Sequence, residues 1–218
     1  ASNAPRKRTA LGRFAHEGCV IAPVKAGKPV VFYMGDDSRG EYIYKFVSTK
    51  VWDSADATGG LTAGDKYMND GKLYVAKFNA DGTGKWLELS FGVNGLVADN
   101  AVYPFTSQAA VVVNARLAAD SLGATKMDRP EWTAVHPKTG EVYLTLTNNS
   151  NRGTSYPVDA ANPRNYTDED GKKGKGNPHG HIIRWKETDG EHSAVAFTWD
   201  VFVFAAEEDA DKSKINVS

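Results

Sequence analysis

Glu17-Gly18-Cys19-Val20-Ile21-Ala22-Pro23 and Glu131-Trp132-Thr133-Ala134-Val135-His136-Pro137 have one shape: a glutamate opens each run and a proline closes it. A glycine-containing turn follows in both, Val24 to Lys28 in one copy and Lys138-Thr139-Gly140 in the other. A second strand comes next, centred on Tyr33 or Tyr143, and ends in paired polar residues, Asp36-Asp37 or Asn148-Asn149. A third strand begins at Tyr42, or after a polar stretch at Ile182, and a fourth closes each unit. Four antiparallel strands, repeated, form the pattern of a propeller blade. Consecutive meanders in a β-sandwich are the alternative. The fold expected is all-β: a partial β-propeller of about two four-stranded blades with insertions and one helix. Propellers typically need ~4–8 blades, so two units do not close a ring.

Outward from the repeat, strands dominate. Val30-Val31-Phe32-Tyr33-Met34 and Glu41-Tyr42-Ile43-Tyr44-Lys45-Phe46-Val47 are β-branched and aromatic. Leu73 to Phe78 follows a Gly-rich linker, and Asn79-Ala80-Asp81-Gly82 supplies a turn before Trp86-Leu87-Glu88-Leu89. Ser107 can cap one helix over Gln108 to Leu122, with Gly123 suited to the left-handed position after it. The polar stretch Asn151 to Asn177 reads as a long surface loop. Residues 1–10 are polar and basic, and Ser2-Asn3-Ala4 resembles the scar of a cleaved tag, so they read as a tag remnant or leader. The propeller segment then covers 11–218, with blade one at about 14–92, a helical insertion at about 105–123 and blade two at about 129–205.

Composition excludes several classes. The 218 residues are 41% hydrophobic and 24% charged, ordinary for a globular chain. With 26 basic and 27 acidic residues the net charge is −1, and no basic block suggests a nucleic-acid partner. No apolar run approaches the ~20 residues of a membrane span. The single cysteine, Cys19, excludes an intrachain disulfide and a CxxC zinc site, and its apolar run suggests a buried thiol.

Antiparallel pairing gives the repeat chemical content. The start of the first strand lies beside the end of the second, so Glu17 and Asp36 share a rim, as do Glu131 and Asn148. In a propeller the first strand lines the channel, and all four residues are expected to face one funnel. Converging carboxylates call for a cation or an arginine. Arg129, two residues before Glu131, can grip a phosphate or carboxylate with two hydrogen bonds. Against this, Asp36-Asp37-Ser38-Arg39-Gly40 is an adequate turn in its own right, and Arg129 can simply neutralise Glu131 or Asp128. His179 and His181 share one strand face, yet Pro178 and Gly180 suggest a turn. Trp132 is expected in the core.

Five ordered motifs resemble the PhoX-type bacterial alkaline phosphatases. They are Leu11 to Glu17 (LGRFAHE), Met34 to Phe46 (MGDDSRGEYIYKF), Arg116 to Asp120 continuing to Asp128-Arg129-Pro130-Glu131-Trp132, Thr145 to Ser150 (TLTNNS) and Asn177 to Trp185 (NPHGHIIRW). The resemblance runs from about Leu11 to Trp199. It implies a six-bladed β-propeller enzyme, a phosphoric monoester hydrolase exported to the periplasm or secreted. It further implies iron and calcium (Fe3+, Ca2+) at one end of the channel. By motif, Glu17, Asp36 and Glu131 are the implied metal ligands and Arg129 the implied contact to the phosphate of a monoester substrate. Family members are much longer, and their N-terminal part supplies further ligands, including a cysteine, that find no match here. The chain therefore reads as a middle section, inactive by itself, whose exposed strand edges invite self-association. A non-enzymatic propeller scaffold, or a Ca-dependent lactonase or phosphotriesterase on the same fold, stands as the alternative.

Overall fold

A computed structural model describes residues 4–167 and 175–208. In chain order it contains β1 (His16–Ile21), β2 (Pro29–Asp36), β3 (Arg39–Glu41), β4 (Ile43–Val51), α1 (Leu61–Met68), β5 (Gly71–Phe78) and β6 (Thr83–Glu88). There follow α2 (Gln108–Val113), α3 (Ala115–Ser121), β7 (Met127–Asp128), β8 (Pro130–Val135), β9 (Val142–Leu146), β10 (Tyr166–Thr167), β11 (Lys175–Gly176), β12 (His181–Glu187) and β13 (Ala196–Phe204). Nine strands form one antiparallel sheet in the order β1-β2-β4-β5-β6-β13-β12-β9-β8. It is two meanders, each running outward from a glutamate-bearing first strand, joined where β6 meets β13 through Ala196↔Lys85 and Phe197↔Gly84. The first meander has five strands, because β6 supplies the join. The sheet nearly closes on itself, as two blades of a partial propeller. Among the described residues no helix is long and apolar enough to cross a membrane.

Two cores explain the burial patterns. β2 is buried almost throughout, since Phe32 and Met34 face the side packed by α2 and α3 while Val31 and Tyr33 face the second meander. A strand covered on both faces reads as a continuous apolar run rather than an alternation. β9 and β12 alternate instead, with Val142, Leu144, Leu146, Ile183 and Trp185 inward. Each large side chain so buried contributes roughly 1.5–3 kcal/mol relative to exposure.

The meanders approach closely where β8 of the second crosses β2 of the first. A methyl at Gly35 would lie 2.6 Å from the carbonyl oxygen of Pro130 and 2.7 Å from that of Glu131. Only a residue without Cβ lets β8 approach β2 this closely. The short pair β3–β7, through Arg39↔Asp128 and Glu41↔Met127, ties the turn after β2 to the residues just before β8. Segments about ninety residues apart in the chain are thereby placed side by side.

Several expectations from sequence are corrected. The single helix over Gln108 to Leu122 is two short helices. Ser107 caps the first through Ala110 N–H at 3.1 Å and Gly123 has φ +61° as expected. Asn114 breaks the run with φ −111° and ψ 42°, its side-chain amide donating to Ala110 O at 2.9 Å. Asn competes for backbone groups in this way. The Gly-rich linker contains α1, held by Arg8 on Asp65 at 2.6 Å and by buried Tyr67, contacts that outweigh its glycine content. The stretch Asn151 to Asn177 is not merely a surface loop: it buries Arg152, Ala161, Asn162, Arg164 and Asn177, while 168–174 lie outside the described residues. Cys19 is exposed, because β1 is an edge strand. Its thiol lines a groove with Phe14, Met68 and Val112, and that apolar surround pushes its pKa up to about 11. Trp132 is 67% exposed rather than in the core.

Candidate functional site

Both glutamates sit at β-bulges. His16 pairs with Asp36 and Gly18 with Gly35, leaving Glu17 as the extra residue of β1. Pro130 pairs with Leu146 and Thr133 with Leu144, so Glu131 and Trp132 span the bulge of β8. A bulge re-aims a side chain and is over-represented near active sites. The two bulges meet at the crossing, where Gly18 packs against the backbone of Glu131 and Trp132. Glu17 is exposed there.

Arg129 lies at the centre of this crossing. It has φ +57°, a left-handed backbone that costs a non-glycine residue about 1–3 kcal/mol. Its neighbours hold that conformation. Asp128, fully buried, accepts from Arg152 Nε at 2.9 Å and from Asn149 Nδ2 at 2.8 Å on Oδ1, and from Asn177 Nδ2 at 2.9 Å on Oδ2. Arg152 is itself pinned to the carbonyls of Pro157 at 2.7 Å and Lys126 at 2.9 Å. On the far side, Thr147 N–H donates to Arg129 O at 3.3 Å, and Thr147 Oγ1 donates to Glu131 Oε1 at 2.9 Å. The Arg129 guanidinium, about one-third exposed, gives Nη2 to Asp37 Oδ2 at 2.9 Å and lies 3.7 Å from Glu131 Oε1.

Asp36 faces the other way. Its carboxylate takes Arg116 Nε at 2.8 Å, Arg116 Nη2 at 2.6 Å and Ala15 N–H at 3.1 Å, all within the fold. Glu41 lies 3.5 Å from the same arginine. Burial pushes its carboxyl pKa up to about 7, with Arg116 pulling it down and Asp36 raising it further. A cleft of about 610 Å³ opens here, lined by Arg13, Phe14, Glu41, Arg116 and Asp120 among others.

The structure thus brings Glu17, Arg129 and Glu131 to one crossing and turns Asp36 toward Arg116. Asp36 stays beside the start of β1 through its pairing with His16, while its carboxylate is bonded by Arg116, 80 residues away in sequence. His181 is not paired with His179 for a metal. It is buried, its Nε2 on Ala161 O at 2.7 Å and its Nδ1 on Asn177 Nδ2 at 3.0 Å, and burial lowers its pKa. Asp37, Asp128, Thr147 and Arg116 lie inside the quoted motifs, but sequence alone gives them no role, because each acts through a partner distant in sequence.

Carboxylate oxygens suit hard cations such as Ca2+ and iron. Among the described residues, however, no three His, Cys, Asp or Glu side chains are grouped to hold a metal ion. The donors present fit such ions in kind and form an incomplete set. Glu17 and Glu131 carry their carboxylates at the crossing, and the oxygens of Asp36 are bonded by Arg116 and Ala15 N–H.

Comparison with known proteins agrees with this architecture. No curated protein matches the chain. A solved structure, Pseudomonas fluorescens PhoX in complex with vanadate, a transition state analogue, is 45% identical with a TM-score of 0.78. The match covers 90% of this chain and 32% of that one, so the chain spans about a third of the length of the protein it matches. The family model described as alkaline phosphatase PhoX matches residues 1–218, and the chain belongs to that family.

Proposed function

We propose that the natural full-length protein is a metal-dependent phosphatase that hydrolyses phosphate monoesters, with Arg129 as the phosphate clamp. The observation that carries this reading is the placement of Arg129: strained in backbone, braced through Asp128 and Thr147, and held beside Asp37 and Glu131. A guanidinium has five N–H donors in a planar fork, and Asp37 engages Nη2 alone among them at hydrogen-bond distance. The rest suit a tetrahedral oxyanion, which gathers charge as phosphoryl transfer proceeds. That the similar Pseudomonas fluorescens protein forms a complex with vanadate, a transition state analogue, supports the phosphatase reading.

Glu17 and Glu131, and Asp36 if Arg116 releases it, are the carboxylates we assign to Ca2+ and Fe3+. When bound, such ions stabilise charge on phosphoryl oxygens as Lewis acids. Because the donor set here is incomplete, the chain by itself shows little turnover. We assign the natural protein to the periplasm or the cell exterior, a reading that rests on the motif resemblance alone.

A substrate panel tests the reading. With Ca2+ and iron supplied, the natural full-length protein is expected to release phosphate from p-nitrophenyl phosphate far faster than it cleaves a diester, a triester or a lactone. Preference for the lactone or triester would overturn the monoesterase assignment. A protein inert toward the whole panel would make it a scaffold.

A further inference from the structure

We propose that Asp37 is a positioning residue that aims the Arg129 guanidinium, an inference that rests on the phosphatase reading above. In sequence, Asp37 looks like a turn residue. A turn aspartate accepts a hydrogen bond from a backbone N–H about two residues on. Among the described residues the Asp37 carboxylate accepts no such local bond. Its hydrogen bond goes instead to Arg129, 92 residues along the chain, from Nη2 to Oδ2 at 2.9 Å. The Asp37 backbone is fixed independently by its N–H on Ala15 O at 2.9 Å. The carboxylate therefore stands on a rigid base and reaches across the crossing.

The second oxygen supports the same role. Asp37 Oδ1 is buried and has no hydrogen-bond partner among the described residues. Leaving a buried acceptor unpaired is unfavourable and calls for an explanation. Among the described residues no turn or local network holds this carboxylate, and the side-chain hydrogen bond it accepts is the one from Arg129 to Oδ2. Arg129 also lies 3.7 Å from Glu131, a weaker contact that does not fix the plane of the fork. Without Asp37 the guanidinium would be free to swing onto Glu131.

The test is a double-mutant cycle in the natural full-length protein, read by kcat/KM for p-nitrophenyl phosphate, by inhibition with vanadate and by the unfolding midpoint. A misplacement near 1 Å can cost about 100-fold in rate. Asp37→Asn is expected to lower kcat/KM by roughly 10–100-fold and to weaken vanadate inhibition by a similar factor. The unfolding midpoint should stay close to that of the unaltered protein. In the Arg129→Ala background the same change should have no further effect, because coupled residues lose their action together. Unaltered kinetics in Asp37→Asn, or losses that multiply in the double variant, would overturn the proposal. Should Asp37→Asn not fold, Asp37→Glu carries the test: its reduced kcat/KM must vanish in the Arg129→Ala background, and an equal factor in both backgrounds overturns it. An Arg129→Ala protein with an undiminished rate removes the phosphatase reading itself, whatever Asp37 does.

Discussion

Replacing Arg129 by alanine is expected to slow phosphate release from p-nitrophenyl phosphate by roughly 10²–10³-fold in the natural full-length protein, the loss typical of deleting one preorganised charge contact. The size follows from preorganisation. The side chain leaves the backbone between β7 and β8 from a left-handed residue anchored by Asp128 and Thr147, so it reorganises little when charge develops. Alanine removes the donors and retains the backbone. Stability should change little, since the guanidinium is about one-third exposed and exposed ion pairs contribute ~0–1 kcal/mol. Arg129→Lys should recover only part of the rate, because an ammonium keeps the charge and loses the planar fork. Steady-state kinetics beside a denaturation curve separates the two effects. A rate within twofold of the unaltered protein would remove Arg129 from the chemistry.

Glu187→Ala is expected to destabilise the chain by about 3–5 kcal/mol, the penalty for leaving a buried charge without its partner. Glu187 ends β12 inside the core between the meanders. It accepts from Tyr33 Oη at 2.7 Å, from Trp86 Nε1 at 3.0 Å and from Trp185 Nε1 at 3.3 Å, and pairs with Lys45 at 3.3 Å. Lys45 is fully buried and also donates to the carbonyls of Ala194 at 2.5 Å and His192 at 3.1 Å. Burial already holds its pKa down to about 8 against the upward pull of Glu187. Alanine at 187 would take the counter-charge from that ammonium and the acceptor from both indoles, and leave the phenol with His192 Nδ1 alone. Glu187→Gln, which keeps an acceptor and loses the charge, should fall between. Urea unfolding measures both, and a loss under 1 kcal/mol for Glu187→Ala would show that the hub contributes little.

Much of the architecture was legible before any coordinates, for a local reason. The strand runs, the Ser107 cap, the Gly123 stop and the two glutamate-to-proline repeats are each set by residues within about ten positions. The bulges at Glu17 and Glu131 fall at matching points of the two repeats, but neither they nor their effect on side-chain direction follow from the residues alone. What was not legible depends on partners distant in the chain. Asp36 and Asp37 are adjacent, yet one is held by Arg116 and the other by Arg129. Nothing in the doublet says which goes where. Lys45 reads as the polar member of an alternating strand, but Glu187 lies 142 residues away. Arg152 sits in a stretch so polar that a solvated loop was the natural reading, while its burial depends on Asp128. Cys19 and Trp132 failed in the opposite sense: apolar side chains on first strands remain open because β1 and β8 are the edges of the sheet.

The central claim, a metal-dependent phosphomonoesterase whose site this chain contributes in part, is tested most directly by elemental analysis of the natural full-length protein together with phosphate release before and after chelation. Calcium and iron bound to the protein, release abolished by the chelator and restored by added Ca2+, is the predicted result. Undiminished release from a protein that carries neither metal would contradict it.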